Sequence, residues 1–70
     1  MDKPIIRINS RGETGNIFWI LGAARVTLRR LARLKDYDEM RERVIASASY
    51  EEALAIIREY VDLIDDDGEV

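Results

Sequence analysis

The sequence predicts a small α+β domain that is mostly helical, with one N-terminal strand followed by three helices. The prediction rests on a β-branched segment near the N-terminus and on three later stretches in which apolar residues recur at helical spacing. The 70 residues suffice for one domain, and a hydrophobic fraction of 47% is too high for a disordered chain. We therefore assign residues 1–64 to a single domain and residues 65–70 to an acidic, flexible tail.

The predicted strand is the segment at residues 4–9, which reads Pro-Ile-Ile-Arg-Ile-Asn. Alternation places Ile6 and Ile8 on one face, and it places Ile5 and Arg7 on the other together with Asn9. A lone strand leaves backbone amides and carbonyls unpaired, which costs free energy where they are buried. The strand therefore needs a partner.

Three partners for this strand are open: the same strand of a second copy, the C-terminal segment near Val70, or another protein. Asp65, Asp66, Asp67 and Gly68 are poor strand formers, which counts against the C-terminal segment. Symmetric dimers are the commonest oligomers. We therefore favour a homodimer in which the strand pairs between subunits.

The first and clearest helix is predicted at about residues 17–34, after a glycine-containing loop at residues 10–16. Asn16 suits the N-cap position, because its side-chain oxygen can accept a hydrogen bond from a free amide of the first turn.

Two further helices are predicted at residues 37–46 and at about residues 50–64. Each follows a residue pair with the spacing of a capping box, Asp36–Glu39 for the second helix and Ser49–Glu52 for the third. The strand and the three helices together predict a core of Ile6, Ile8, Ile17, Ile20, Leu21, Ala24, Leu28, Leu31, Met40, Val44, Leu54, Ile57, Val61 and Ile64.

Charge is divided between the two halves of the chain. Residues 1–35 carry eight basic and two acidic side chains, a net charge of +6, whereas residues 36–70 carry three basic and twelve acidic ones, a net charge of −9. Separated charge creates a field that steers association, so this asymmetry indicates an interaction surface. The same asymmetry can also be satisfied within the chain or between identical subunits.

The first helix carries the candidate binding surface. No acidic residue falls between residues 17 and 35, and Arg25, Arg29 and Arg33 lie four apart with Arg30 beside them. Guanidinium groups at this spacing suit the binding of phosphate or carboxylate. The competing interpretation is a solvated helix face, or one that pairs with the acidic second and third helices.

Gly22 interrupts the first helix at a cost of about 1 kcal/mol relative to alanine, and a glycine there permits close approach of another helix or a ligand. A helical wheel places it with Phe18, and it places Trp19 in line with Val26. Because Trp and Arg are enriched at interface hot spots, this face is the predicted partner surface, unless Phe18 and Trp19 simply complete the core. The predicted binding residues are Phe18, Trp19, Gly22, Arg25, Arg29, Arg30 and Arg33.

Catalysis and metal binding have little support in the sequence. The chain has no cysteine and no histidine, so disulfides and zinc sites of the Cys/His type are excluded, and a serine nucleophile lacks its usual base. The segment at residues 12–16 precedes a helix and could cradle a phosphate. However, it lacks the Gly-Lys-Ser/Thr ending of a P-loop and does not fit Gly-x-Gly-x-x-Gly. We predict no catalytic residue, no metal and no cofactor.

Three segments carry a resemblance to known proteins: Gly15-Asn16-Ile17-Phe18-x-Ile20-Leu21-Gly22-x-x-Arg25, Leu28-Arg29-Arg30, and Tyr50-x-x-Ala53-Leu54-x-Ile56-x-x-x-Tyr60. Through them, residues 3–64 resemble a loose group of very small, uncharacterised phage and mobile-element proteins. The resemblance implies an accessory protein in the cytoplasm of a bacterial host. It further implies a counter-defence binding protein that engages a host protein or sequesters an anionic small molecule.

A strand followed by helices also resembles ribbon-helix-helix repressors, in which paired strands read the major groove of DNA. In that alternative, Arg7 and Asn9 would contact DNA. The long loop, the long first helix and the net charge of −3 count against it. The longest apolar run is too short to span a bilayer, so we expect a cytoplasmic protein with no membrane partner.

Overall fold

The computed structural model describes residues 3–66 and contains a strand, three α-helices and a second strand. The α+β class with an N-terminal strand and three helices is confirmed, and the second strand is an addition. In chain order the elements are β1 (Ile5–Ile8), a one-turn 3-10 helix (Glu13–Gly15), α1 (Ile17–Arg30), α2 (Leu34–Ile45), α3 (Tyr50–Ile57) and β2 (Asp62–Asp65).

Strand β1 pairs in parallel with β2, so β1 has a partner within the chain. Ile6 lies opposite Leu63, and the Asp62 amide donates to the Pro4 carbonyl at 2.8 Å just before the paired residues. The sequence-based argument against a C-terminal partner strand was therefore wrong. The argument for a homodimer loses its premise of a lone strand, and pairing between subunits stays a prediction.

Asp65, the last residue of β2, and Asp66, which follows it, have partners that offset their low strand propensity. The Ser10 amide donates to the Asp65 carboxylate at 3.1 Å, and the Arg7 guanidinium donates to the Asp66 carboxylate at 3.2 Å. Leu63 packs against the core. Strand propensity measures chiefly how a side chain fits its surroundings. The contacts with β1 and the core therefore allow β2 to form.

Helix α3 ends at Ile57, so its predicted extension to Ile64 was wrong. The Lys3 ammonium donates to the carbonyl oxygen of Arg58 at 2.8 Å, which satisfies a carbonyl at the helix end. The flexible tail was predicted at residues 65–70. Its first residue, Asp65, lies in β2, and residues 67–70 lie outside the described residues.

A polar cluster attaches the end of α3 to α2. Arg43 donates two hydrogen bonds to the Glu59 carboxylate, at 2.7 and 2.9 Å, and the Tyr60 hydroxyl donates to Glu39 at 2.6 Å. The hydrogen bonds from Arg43 lower the pKa of Glu59, whereas burial first and the Glu39 hydrogen bond second raise the pKa of Tyr60. A turn and strand β2 thus replace the predicted last two turns of helix.

Helix α1 ends at Arg30, which is earlier than predicted, because the chain reverses at Ala32 in the left-handed conformation (φ 58°). The Arg33 amide donates to the Leu28 carbonyl at 2.7 Å, and the Ala32 amide donates to the Arg29 carbonyl at 3.0 Å. These two bonds form a Schellman motif, which glycine usually completes. Alanine gave no sequence signal for this helix end.

Two of the three predicted helix starts are confirmed. Asn16 accepts from the Phe18 amide at 2.7 Å, and Ser49 accepts from the Glu52 amide at 3.1 Å. The Asp36–Glu39 capping box was wrong, because α2 begins at Leu34 and the Asp36 carboxylate pairs with the Arg33 side chain.

One core lies between the small sheet and the three helices. Leu31 follows the last residue of α1 and is 49% exposed, so its assignment to the core was wrong, and Ile17 and Ile64 are only partly buried. The buried residues are Ile6, Ile8, Ile20, Leu21, Ala24, Leu28, Tyr37, Met40, Val44, Ala53, Leu54, Ile56, Ile57, Tyr60 and Val61.

Leu28 and Leu31 provide a matched pair of substitutions, because the same side chain is 0% exposed at one position and 49% exposed at the other. We expect Leu28→Ala to lower the free energy of unfolding by about 2–5 kcal/mol, and Leu31→Ala to lower it by less than about 1 kcal/mol. Urea denaturation followed by circular dichroism measures both. Equal losses would show that the buried face of α1 is misassigned.

Ala32→Gly should raise the free energy of unfolding by about 0.5–1 kcal/mol, because the left-handed conformation disfavours a Cβ atom more than glycine's extra chain entropy costs. Ala55→Gly is the control, since Ala55 is exposed within α3. There glycine should lower the free energy of unfolding by about 1 kcal/mol. Destabilisation at both positions would contradict the reversal at Ala32.

Candidate binding surface on helix α1

The loop before α1 fixes the position of its first turn. A Cβ atom on Gly15 would lie 2.5 Å from the Asn9 carbonyl oxygen and 2.6 Å from the Ser10 Cα, so the backbone approaches there as only glycine permits. The Tyr50 hydroxyl donates to the Gly15 carbonyl at 2.6 Å, and the Asn9 amide donates to the Thr14 hydroxyl at 2.7 Å.

Helix α1 has an inner face in the core and an outer face in solvent. On the outer face Phe18 is 80% exposed, Trp19 is 43% exposed and Val26 is 42% exposed. The alternative in which Phe18 and Trp19 complete the core is therefore wrong. The buried residues of the inner face are Ile20, Leu21, Ala24 and Leu28.

Gly22 lies on the outer face, one turn after Phe18, and no internal packing explains its presence. A Cβ atom built on it meets nothing within 4 Å among the described residues. Alanine at this position would favour the helix by about 1 kcal/mol. A glycine that costs stability and serves no internal contact suits close approach by a binding partner.

The basic half of the outer face consists of Arg25, Arg29 and Arg30. All three are exposed, and within residues 3–66 their side chains form no hydrogen bond or ion pair. They are therefore not paired with the acidic residues of α2 and α3. Three guanidinium groups with all their donors free lie beside the exposed aromatic side chains. We call the residues Phe18, Trp19, Gly22, Arg25, Val26, Arg29 and Arg30 the α1 surface.

Arg33 is engaged apart from the α1 surface. It occupies the N-cap position of α2, and its Nε lies 2.9 Å from a carboxylate oxygen of Asp36. The structure thus brings six of the seven predicted binding residues onto one helix face, and the seventh joins two helices.

Sequence reasoning left Val26 out of the binding residues, although its spacing from Trp19 places both on one stripe of the helix. Leu31 and Leu34, at the α1–α2 turn, are 49% and 40% exposed. Leu31 was assigned to the core because its spacing continues the apolar stripe of α1, and no glycine marks the end of the helix.

The residues of the DNA-binding alternative have other contacts. Arg7 pairs with Asp66, and the Asn9 side-chain oxygen accepts from the Arg11 amide at 3.0 Å. The strand beside β1 begins and ends with the carboxylates of Asp62 and Asp65. Carboxylates beside the proposed DNA-reading strand would repel phosphates.

The loop before α1 and Trp19 border a shallow, open depression of about 620 Å³. The amides of Gly12, Gly15 and Asn16 donate to carbonyls of the chain at 2.9, 3.1 and 3.2 Å, so they do not face a ligand. The segment is an ordinary turn rather than a phosphate cradle. The depression is lined by Ser10, Arg11, Gly12, Glu13, Gly15, Asn16 and Trp19.

Comparison with known proteins finds no family model, no curated protein and no solved structure that matches the chain. Among residues 3–66, no group of three or more acidic side chains is placed to hold a metal ion. The helices of this described part are all too short or too polar to cross a membrane. The assignment of the α1 surface rests on its geometry.

Gly22→Ala should raise the free energy of unfolding by about 1 kcal/mol, because it replaces a poor helix former where the added methyl group meets open space. Gly15→Ala is the matched contrast. There the methyl group meets backbone atoms, and the free energy of unfolding should fall by about 1–3 kcal/mol. Thermal and urea denaturation of both variants measure the difference. A loss of stability in Gly22→Ala would mean that Gly22 has an internal role.

Proposed function

We propose that the chain is a non-enzymatic binding protein whose α1 surface engages an anionic partner. The observation that supports this proposal is the combination of side chains on one helix face. Three guanidinium groups without internal partners lie beside Phe18 and Trp19 and beside a glycine over open space. Aromatic and arginine side chains are the residues most enriched at interface hot spots.

An acidic protein surface fits this face better than a small anion does. Small ligands bind in concave sites that bury most of their surface, whereas the α1 surface is the convex side of a helix. The nearest depression is shallow, and three of its amides are bonded within the chain. Exposed apolar side chains bordered by charged ones are the usual composition of a protein interface.

DNA binding through β1 remains the alternative class. Arg7 is exposed and lies on the solvent side of the strand, which favours this alternative. Its ion pair with Asp66 and the adjacent carboxylates of β2 count against it. We therefore place DNA second.

The resemblance to small phage and mobile-element proteins supplies a biological setting for this proposal. In that setting the protein acts in the cytoplasm of a bacterial host, and its partner is a host protein that the chain inhibits. Self-association into a dimer is a further part of the proposal, with the division of charge as its remaining support from the sequence.

Trp19 is the single tryptophan of the chain, so its fluorescence reports on binding at the α1 surface. The probes are an acidic amphipathic helical peptide, a short DNA duplex and ATP. We expect the peptide to bind most tightly, with an affinity that falls as salt rises. Arg25→Ala combined with Arg29→Ala should weaken peptide binding by at least about tenfold, since charge-assisted hydrogen bonds are lost.

Arg41→Ala combined with Arg58→Ala is the matched control, because it removes the same charge from two exposed positions, one on α2 and one directly after α3. Its peptide affinity should stay close to that of the original chain. Full retention of peptide binding after the loss of Arg25 and Arg29 would contradict the proposal. DNA binding that depends on Arg7 would favour the repressor alternative instead.

A further inference from the structure

Strand β1 has a second edge, and its backbone groups are unpaired within the described chain. The Asp62 amide donates to the Pro4 carbonyl at 2.8 Å, and the observed register directs the backbone groups of Ile6 towards β2 as well. Backbone groups of successive residues in a strand face opposite edges. The amides and carbonyls of Ile5 and Arg7 therefore face away from β2, where no described residue forms a hydrogen bond with them.

The open part of this edge is short, because the chain closes it at both ends. Pro4 has no amide to donate, and the Asn9 amide donates to the Thr14 hydroxyl at 2.7 Å. Between these two residues, Ile5 is 62% exposed and the Arg7 side chain is 69% exposed. An edge strand with unpaired amides and carbonyls is a template for a further strand. The edge therefore suits one short extended segment.

The strand that β1 already binds indicates which sequence β1 accepts. Strand β2 has an aspartate at each end with Leu63 and Ile64 between them, and Asp66 pairs with Arg7 at 3.2 Å. Asp66 is the only described side chain that bonds to Arg7, so the other N–H donors of this guanidinium group have no acceptor. On the second edge, an apolar side chain can cover Ile5 and a carboxylate can bind the remaining donors of Arg7.

We infer that β1 binds an extended segment of a partner protein along this edge, as a third strand antiparallel to β1. The segment has an apolar residue opposite Ile5 and, two positions away, an acidic residue opposite Arg7. Both of these pairs exchange backbone hydrogen bonds, because such bonds join opposite residues at every second position of an antiparallel pair. Main-chain bonds supply the affinity in this mode of recognition, and the alternate side chains supply the specificity.

A second copy of β1 fits this edge less well than an acidic segment does. In the antiparallel register that pairs the same backbone groups, Ile5 would lie opposite Arg7 of the partner subunit. The guanidinium donors would then gain no carboxylate, and the two arginines would lie diagonally across the junction with like charge. The edge shares no residue with the α1 surface, so the inference does not depend on the partner proposed there.

Exchange of backbone amides with solvent, followed by nuclear magnetic resonance on the full chain, tests the inference. The probe is the acetylated peptide Ser-Asp-Val-Ile-Val-Asp-Ser, titrated to about 1 mM. In the free chain the Ile6 amide faces β2 and should exchange slowly, whereas the Ile5 and Arg7 amides should exchange fast. The peptide should slow exchange at Ile5 and Arg7 at least about threefold, because it pairs their amides.

Two altered peptides separate the backbone contribution from the charge contribution. In the antiparallel pair, the amide of the central isoleucine of the peptide faces β1, and the valine amides face solvent. Methylation of the isoleucine amide should therefore abolish the slowing of exchange, whereas methylation of a valine amide should preserve it. Replacement of both aspartates by lysine should weaken binding at least about tenfold, because like charges then lie opposite Arg7.

Arg7→Ala and Arg7→Pro form a matched pair of variants, because both remove the guanidinium group and its ion pair with Asp66. Only Arg7→Pro also removes the edge amide, and proline is tolerated on the outer side of an edge strand. The aspartate peptide should bind about fivefold more weakly to Arg7→Ala, and its binding to Arg7→Pro should be lost. Slow exchange at Ile6 in both variants shows that the pairing with β2 is intact.

Arg25→Ala combined with Arg29→Ala should leave the affinity for this peptide within about twofold, which distinguishes the edge from the α1 surface. Unchanged fast exchange at Ile5 and Arg7 throughout the titration would overturn the inference. Equal binding of the lysine peptide would overturn it as well. Slow exchange at both amides that rises with protein concentration, without peptide, would assign the edge to a second copy instead. None of these outcomes changes the result of the fluorescence titration at the α1 surface.

Discussion

The parallel pairing of β1 with β2 is the constraint on which the rest of this structure depends. Parallel strands cannot be joined by a tight turn, and here the connection between them contains all three helices. A pair of strands is only marginally stable by itself, and here Ile6 and Ile8 pack into the helical core. Hydrogen bonds that the Lys3 and Arg7 side chains donate, and one that the Asp65 side chain accepts, add contacts between the beginning and the end of the described chain.

The packing of α1 against this core determines which face of the helix stays exposed. The inner face of α1 supplies buried residues to the core, whereas Phe18, Trp19 and Val26 of its outer face are exposed. Elsewhere the arginines serve the fold: Arg7 pairs with Asp66, Arg33 joins two helices and Arg43 holds the end of α3. The arginines of the α1 surface have no such task within residues 3–66, so the charge asymmetry of the sequence becomes a spatial one.

Local signals predicted the parts of the fold that local interactions decide. Alternation placed Ile6 and Ile8 in the core, and side-chain caps located the starts of α1 and α3. The errors lie where distant contacts decide. An alanine in the left-handed conformation ends α1, and β2 forms because β1 and the core compensate for two aspartates. Neither event leaves a signal within a few residues of sequence.

The regular spacing of a helix made the candidate surface predictable, but it did not show where that surface ends. Helical periodicity placed Phe18, Gly22 and Arg25 on one outward face, because that depends only on the geometry of a regular helix. Arg33 continues the same spacing in sequence, but α1 has already ended when the chain reaches it. The open space beside Gly22 needed coordinates, since glycine in a helix is equally compatible with close internal packing.

The central claim is that residues 62–65 form a strand beside β1 instead of the last turn of α3. Nuclear magnetic resonance tests it directly through the backbone carbon shifts of these residues and the proton contacts between the two strands. We expect extended-chain shifts at residues 62–65. We also expect cross-strand contacts in the parallel register of Ile6 with Leu63. Helical shifts that continue from Tyr50 to Ile64, with no contact to β1, would contradict the account.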